Sequence, residues 1–258
     1  MDGFQQSGHF STLACVEWDK NPCDNLRLRL ATKWKHPNAA NEVICFDIQR
    51  TEELFSGFSD PTYGSHPGLD SLVHGRPVDV IIGGPPCQAY SIAGRIRDEN
   101  GMRDDYRNYL FESYVKVVKR YTPKFFVFEN VSGILSATPD GKPITERIRE
   151  AFSQAGYYIT PDLQGAIFDL TEFGVPQKRK RIIIFGVSQK AFPQKHKEIV
   201  ADFYNRLMPS FKQSLKTVRD AIGDLPIWTP TVTDGKVLYH CSSKRPVLNH
   251  TPRSQSVR

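Results

Sequence analysis

Short apolar runs of strand length alternate with helix-like stretches through most of this chain, and that alternation restricts the fold more than any other feature. Thr12–Trp18 reads as a strand, followed by a helix from about Asn21 to Trp34. Val43–Asp47 and Val78–Ile82 are further strands, the second stopped by Gly83-Gly84-Pro85-Pro86. A helix is expected over about Asp104–Tyr121, with Leu110, Tyr114, Val117 and Val118 at helical spacing. Phe125–Phe128, a helix near Ile144–Ala155, a strand leading to Phe168 and a strand Arg181–Val187 complete the pattern. Continuous apolar strands separated by helices indicate an α/β fold, a mostly parallel sheet with helices on both faces. Ligands of such sheets sit beyond the carboxyl ends of the strands. Here those ends carry Glu17, Asp47, Gly83–Cys87 and Glu129-Asn130, the pattern of a site assembled from several strands. After about Ser188 prolines become frequent; a helix or two (Glu198–Leu207, Leu215–Ile222) and then irregular chain are expected.

Composition narrows the possible partners. No stretch of the 258 residues approaches the ~18 uninterrupted apolar residues of a membrane span. The start, Met1-Asp2-Gly3-Phe4-Gln5-Gln6, lacks the basic and apolar segments of a signal peptide. Five cysteines, an odd number without CxxC spacing, argue against a disulfide framework or a zinc site and for a reducing cytoplasm. The formal charge of +6 is unevenly distributed: residues 177–258 carry +11 and residues 1–176 carry −5. A basic C-terminal third fits a polyanion such as nucleic acid, and it also fits a plain solvated surface.

Several residues could carry chemistry. Cys87, after Gly-Gly-Pro-Pro at the end of a buried strand, is either a thiolate nucleophile beside the ligand crevice or a small core residue. Cys15 and Cys45, within strands, read as core residues. Glu129 follows four hydrophobic residues, so it is a poorly solvated carboxylate suited to share a proton, or a capping or ion-paired group. In Gln177-Lys178-Arg179-Lys180-Arg181, an extended backbone sends Gln177, Arg179 and Arg181 one way and the two lysines the other. Glu17 and Asp47 at successive strand ends have the chemistry to bind ribose hydroxyls and an adenine amino group.

Taken together these segments resemble the cytosine-C5 DNA methyltransferases. The resemblance rests on Gly84-Pro85-Pro86-Cys87-Gln88-Ala89-Tyr90-Ser91, Arg107-Asn108-Tyr109-Leu110-Phe111, Phe128-Glu129-Asn130-Val131 and Phe173–Arg181, in family order. Glu17-Trp18 and Asp47-Ile48 match cofactor positions, and Val218–Pro226 and Asn249–Arg258 resemble the stretch before a recognition domain. The resemblance implies a Rossmann-like class I methyltransferase sheet, S-adenosylmethionine as cofactor, no metal, and double-stranded DNA as partner. It implies a catalytic core over residues 1–187 and, over 188–258, the end of that core leading towards a target-recognition domain. It also implies a cytoplasmic, nucleoid-associated setting in a bacterium or phage, within a restriction-modification system.

The implied chemistry explains the residue types. Cytosine C5 becomes nucleophilic only after a thiolate adds at C6. Cys87 is the implied nucleophile, Glu129 the partner of the N3/N4 edge, Arg181 the group holding O2, and Arg179 its support. Gln88, Ser91, Asn130 and Gln177 are implied to contact substrate. Glu17, Trp18, Asp47, Ile48, Pro85 and Leu110 are implied to line the cofactor site. A base inside a duplex must be flipped out to be reached. Enzymes that methylate exocyclic amines carry an aromatic residue where Cys87 stands; a tRNA-methylating branch, whose stretch after Pro-Cys-Gln differs from Ala89-Tyr90-Ser91, is a minor alternative.

Two parts of the family pattern are not found in the sequence. Members open with a strand and a Phe-x-Gly-x-Gly-Gly turn, and this sequence aligns from just after that turn, so the first central strand is missing. Its neighbours are then expected to have unpaired edges. No target-recognition domain is found before Arg258. Three arrangements account for this: a piece of a longer enzyme, which is the primary expectation; one subunit of a split methyltransferase; or a non-catalytic nucleic-acid-binding homologue. Weak cofactor binding and little activity are expected of the chain alone.

Overall fold

The computed structural model describes residues 1–85, 110–138, 141–233 and 236–242. In chain order it contains α1 (Asp2–Gln6), β1 (Cys15–Glu17), α2 (Lys20–Thr32), α3 (Ala39–Glu42), β2 (Val43–Cys45) and α4 (Thr51–Ser56). There follow β3 (Phe58–Asp60), β4 (Gly64–His66), α5 (Gly68–Val73), β5 (Val80–Gly83), α6 (Leu110–Tyr121), β6 (Phe125–Val131) and α7 (Ile144–Gln154). The last elements are β7 (Tyr157–Ile159), β8 (Ile167–Asp169), β9 (Lys180–Ser188), α8 (His196–Asp202), α9 (Val218–Ile222), β10 (Trp228–Thr233) and β11 (Lys236–Cys241).

Two compact units share these elements: Met1–Phe168 with Lys180–Ser210, and Asp169–Arg179 with Phe211–Arg258. The first unit is α/β. Its five-stranded sheet has the order β5-β6-β9-β7, with β8 also on β9. β5 and β6 are parallel, whereas β9 runs antiparallel to both β6 and β7, so one reversed strand interrupts the parallel set. β1 and β2 form a separate two-stranded parallel sheet. The unpaired edges expected beside a missing central strand are present among the described residues: β1 pairs with β2 alone, and β5 with β6 alone.

Alternation along the strands builds the cores. In β6, Phe126 and Phe128 are fully buried and meet Ile182 and Ile184 of β9, Tyr114 and Val118 of α6, and Ile148 and Phe152 of α7. Phe152 stacks on Phe126 with ring centroids 4.1 Å apart. A second cluster joins Ile44, Phe46, Leu54, Phe55 and Leu69 to Val16 of β1 and to Val117 and Tyr121 of α6. A third, on the other side of the small sheet, packs Cys15, Val43 and Cys45 against Cys23 and Leu30 of α2. Cys15 and Cys45 are half-buried, and among the described residues Cys23 is the cysteine at full burial.

The observed elements depart from the sequence reading where segments are short. The strand expected over Thr12–Trp18 shrinks to Cys15–Glu17, and α1, α4, α5 and the β3–β4 hairpin were not anticipated. The expected helix Glu198–Leu207 is formed, but not as one regular helix: it is α-helical over His196–Asp202, π-helical over Phe203–Leu207 and α-helical again over Met208–Ser210. In the second unit, the chain expected to be irregular after Ile222 contains the antiparallel hairpin β10–β11. An Asp234-Gly235 dipeptide between Thr- and Val-rich runs is the hairpin signal that the proline-rich composition obscured. No buried hydrophobic residue lies in this unit among the described residues; Leu215, Ile227 and Val232 are 70%, 71% and 71% exposed.

The Phe126–Phe152 stack is central to the first unit. Phe152→Ala should destabilise the protein by about 3–5 kcal/mol, read as a lower urea midpoint at unchanged slope.

Candidate functional site

The carboxyl end of β6 is where the apolar strand becomes polar. Phe126, Phe128 and Asn130 face the core, while Val127, Glu129 and Val131 face the other way. Opposite them, β9 pairs Ile183 with Glu129 and Arg181 with Val131. Arg181 is therefore a diagonal neighbour of Glu129 on one face of the sheet, within reach of a long side chain. Its Nε donates to Glu129 Oε1 at 2.7 Å, and its Nη1 donates to the carbonyl of Lys180 at 2.8 Å. Arg181 is largely buried, with 18% of its side chain exposed, whereas the Glu129 side chain is 42% exposed. Glu129 is thus ion-paired and partly solvated, which corrects the expectation of a poorly solvated carboxylate.

The second oxygen of Glu129 points to the end of β5. A Cβ placed on Gly84 would lie 2.8 Å from Glu129 Oε2, so only glycine leaves that oxygen its place. Gly83 is constrained in the same way by the ring of Tyr114, 2.5 Å from the position of such a Cβ. The Tyr114 hydroxyl lies 3.1 Å from the carbonyls of both Ile81 and Val127, tying α6 to β5 and β6. Gly84 and Tyr114 were not singled out as functional from sequence; Tyr114 was legible only as one of several core-facing residues on a helix.

A second polar edge lies on the small sheet. Glu17 and Cys45 are register partners, which brings Glu17 and Asp47 to the carboxyl ends of adjacent parallel strands. Glu17 Oε1 accepts from the backbone N–H groups of Trp18 (2.8 Å) and Asp19 (3.0 Å). Its Oε2 has no hydrogen-bond partner among the described residues. Trp18 is 56% exposed, Ile48 is half-buried beside the second core cluster, and Asp47 Oδ1 accepts from the N–H of Gln49 at 2.9 Å. Carboxylates for ribose hydroxyls, an open indole face and an aliphatic surface form a donor set that fits the adenosine part of S-adenosylmethionine.

The remaining expected site residues are placed as follows. Leu110 is buried at the start of α6 and Pro85 is half-buried after β5. Asn130 is 3% exposed on the face opposite Glu129; its Oδ1 accepts from the N–H of Val131 at 2.7 Å, and its Nδ2 has no partner among the described residues. Gln177 and Arg179 are exposed and belong to the second unit, where the N–H of Gln177 donates to Val175 and the Arg179 carbonyl accepts from Leu170. β9 begins at Lys180, so Arg181 lies within the strand and Gln177 and Arg179 precede it. Cys87, Gln88 and Ser91 lie outside the described residues. Among the described residues no cluster of His, Cys, Asp and Glu is arranged to hold a metal ion.

Burial separates the cysteines. It pushes the Cys15 thiol up to about 11 and the Cys23 thiol up to about 12, so both stay protonated near neutral pH and are poor nucleophiles. Alkylation with iodoacetamide at pH 8, read by peptide mass spectrometry, should leave Cys15 and Cys23 unmodified, and modification of Cys15 should rise as pH approaches 11.

Comparison with known proteins places the chain in a family. The profile described as C-5 cytosine-specific DNA methylase matches residues 2–244. Type II methyltransferase M.Bpa9945I of Bacillus paralicheniformis is 40% identical over 189 residues, 67% of this chain and 39% of that protein. Type II methyltransferase M1.HphI of Haemophilus parahaemolyticus is 34% identical over 228 residues, 87% of this chain and 49% of that protein. The chain thus spans half or less of the length of these relatives. In fold it is similar to a crystal structure described as a DNA modification methyltransferase encoded within a prophage of E. coli (TM-score 0.55, 21% identity, 91% of this chain and 57% of the other). The chain belongs to the C-5 cytosine-specific DNA methylase family.

Proposed function

We propose that this chain is the catalytic core of a DNA (cytosine-5)-methyltransferase, acting with S-adenosylmethionine on a cytosine flipped out of double-stranded DNA. Residues 1–187 form the core in this reading, and residues 188–258 lead towards a target-recognition part. The observation that carries it is the Glu129–Arg181 pair, whose carboxylate reaches Gly84, three residues before Cys87. The strength of the family match and the basic charge of residues 177–258 support a DNA substrate, and the bacterial relatives support a cytoplasmic restriction-modification role.

The residues divide the work as follows. Cys87 adds as thiolate to cytosine C6. Negative charge then develops on the N3/O2 side of the ring, where Arg181 donates to O2 and Glu129, held by Arg181, engages N3 and the N4 amine. C5, now enamine-like, becomes the nucleophile, and bound S-adenosylmethionine supplies the electrophilic methyl group. Loss of the C5 proton to a base then breaks the C6–S bond and returns the Cys87 thiolate. Glu17 and Trp18 hold the adenosine, with Asp47 and Ile48 beside them and Pro85 and Leu110 lining the approach. Arg179, Gln177, Gln88 and Ser91 act on the DNA side, and Asn130 supports the strand end from behind.

A duplex containing 5-fluorocytosine tests this reading, because fluorine at C5 cannot leave as a proton and the enzyme stays attached through sulfur. The expected result is a cofactor-dependent band of protein–DNA adduct on a denaturing gel, absent for Cys87→Ser. Because each slow turnover is trapped, a low rate does not hide it. An adduct that persists in Cys87→Ser, or one formed with tRNA and not with the DNA duplex, overturns the reading.

The Gly84 contact gives a second expectation. Gly84→Ala should slow adduct formation by about 10- to 100-fold, because displacing the carboxylate by roughly an ångström misaligns it with the base. The urea midpoint of that variant should stay close to that of the unmodified chain.

A further inference from the structure

We propose that Cys23 and Cys45 are a dithiol–disulfide pair, closed by a small disulfide such as oxidised glutathione, whose closure loosens the Glu17-Trp18 turn that both thiols hold. Two hydrogen bonds place the sulfurs. Cys23 Sγ, near the start of α2, donates to the Glu17 carbonyl at 3.3 Å, and Cys45 Sγ, at the end of β2, donates to the Trp18 carbonyl at 3.6 Å. Those carbonyls belong to consecutive residues, so the two thiols converge on one turn of backbone. Both side chains pack in the cluster between the small sheet and α2. They also meet each other: burial first, and a hydrogen bond with the Cys45 thiol second, hold the Cys23 thiol up.

The third cysteine of the cluster is not a partner. Cys15 stands opposite Val43, two residues from Cys45 along the ladder. That offset between adjacent strands puts the two Cα atoms about 8 Å apart, more than a disulfide spans without backbone movement. The neighbouring groups that act on the Cys15 thiol are the N-terminal amine and Glu42, with no thiol among them.

The difference in burial orders the chemistry. Cys45 is half-buried and Cys23 fully buried, so Cys45 meets the oxidant first. Its thiolate attacks one sulfur of oxidised glutathione, forming a mixed disulfide and releasing one glutathione as thiolate. Cys23 then loses its proton to solvent and attacks the Cys45 sulfur, and the second glutathione leaves. The two glutathiones take up the two protons that the cysteines gave up, so the protein is oxidised and the small disulfide reduced. Because the Cys23 thiol is held up, the second step quickens as pH rises and the thiolate fraction grows.

Closure removes both S–H donors. The Glu17 carbonyl keeps the N–H of Phe46 at 2.9 Å, whereas the Trp18 carbonyl loses the donor found for it among the described residues. The loss falls on Trp18, whose 56% exposed side chain gives the turn little anchorage by packing. The other bonds of the turn, from the N–H groups of Trp18 and Asp19 to Glu17 Oε1, then hold it alone. The pairing rests on the placement of the sulfurs; its consequence for S-adenosylmethionine rests on the proposed function.

The test treats the whole folded chain with oxidised glutathione, at about pH 7 and about pH 8, before an acid quench and trypsin without reductant. Trypsin parts the three thiols into peptides 1–20, 21–27 and 36–50. A crosslink of 21–27 with 36–50, formed faster at the higher pH, is expected, and Cys23→Ala should stop at glutathione bound to 36–50. No such crosslink, an equal amount of crosslink between 1–20 and 36–50, or a crosslink that needs urea to form overturns the pair. Amide exchange at Trp18 and Asp19 should be about tenfold faster in the crosslinked chain, and unchanged exchange overturns the loosening. Cys45→Ser, which keeps a hydroxyl donor for the Trp18 carbonyl, should show no response to the oxidant. Calorimetry with S-adenosylhomocysteine should show about tenfold weaker binding after closure, restored by dithiothreitol. Faster exchange without any change in S-adenosylhomocysteine binding leaves the pair standing and counts against the cofactor reading instead.

Discussion

The seven-pair antiparallel register between β6 and β9 is the constraint on which the catalytic edge depends. It runs from Phe125 opposite Val187 to Val131 opposite Arg181. It is held by shape as well as by hydrogen bonds: Gly186 stands opposite Phe126, and a Cβ there would meet the phenyl ring at 2.0 Å. Ile182 and Ile184, fully buried, alternate with residues of the opposite face. A slip of one residue would turn Arg181 into the core and the isoleucines outward, which costs far more than any surface contact could return. The Glu129–Arg181 pair is thereby placed by apolar packing several residues away, and its charges contribute little to choosing that arrangement.

This explains which parts of the protein were legible in the sequence. Phe125–Phe128, Arg181–Val187 and Ile144–Ala155 are long, strongly patterned segments, and the structure forms all of them. Glu129 and Arg181 were readable as strand-end residues, since each adjoins an apolar run. Their pairing was not readable, because it depends on register between segments fifty residues apart. Of the two states left open for Glu129 the ion pair is formed, and the poor solvation expected from its apolar sequence neighbours is not, because alternation turns Phe128 to the opposite face. Gly83 and Gly84 were read as a strand stop, whereas each makes room for a particular side chain from another element.

Short elements were least legible. β3 and β4 have three residues each, too few for periodicity to distinguish a strand from a loop, and α4 and α5 have six; β1 and β2 are as short but were legible as strands, with only their ends overextended. The hairpin of the second unit is an opposite case, with clear local signals but no buried residue. Its exposed Ile227, Val232 and Leu238 mean that its stability comes from cross-strand pairing and not from a core of its own. A composition-based reading looks for apolar burial and therefore passes over such a segment.

The relation between the adenosine edge and the catalytic edge raises a different question, since no ladder among the described residues connects the small sheet to the large one. Two interactions join them through α6. Asp70 of α5 accepts from Arg120 at 2.5 Å and from the Tyr121 hydroxyl at 2.8 Å, and Arg120 holds its carboxyl below the usual carboxylate range. The apolar cluster of Phe46, Leu54, Phe55 and Leu69 with Val117 and Tyr121 is the other. Arg120 is half exposed, so water and salt screen the pair and it contributes little. Burying even one of the large side chains of the cluster is worth about 1.5–3 kcal/mol. Apolar contact therefore dominates, and it has no directional preference that would hold two sheets at one spacing.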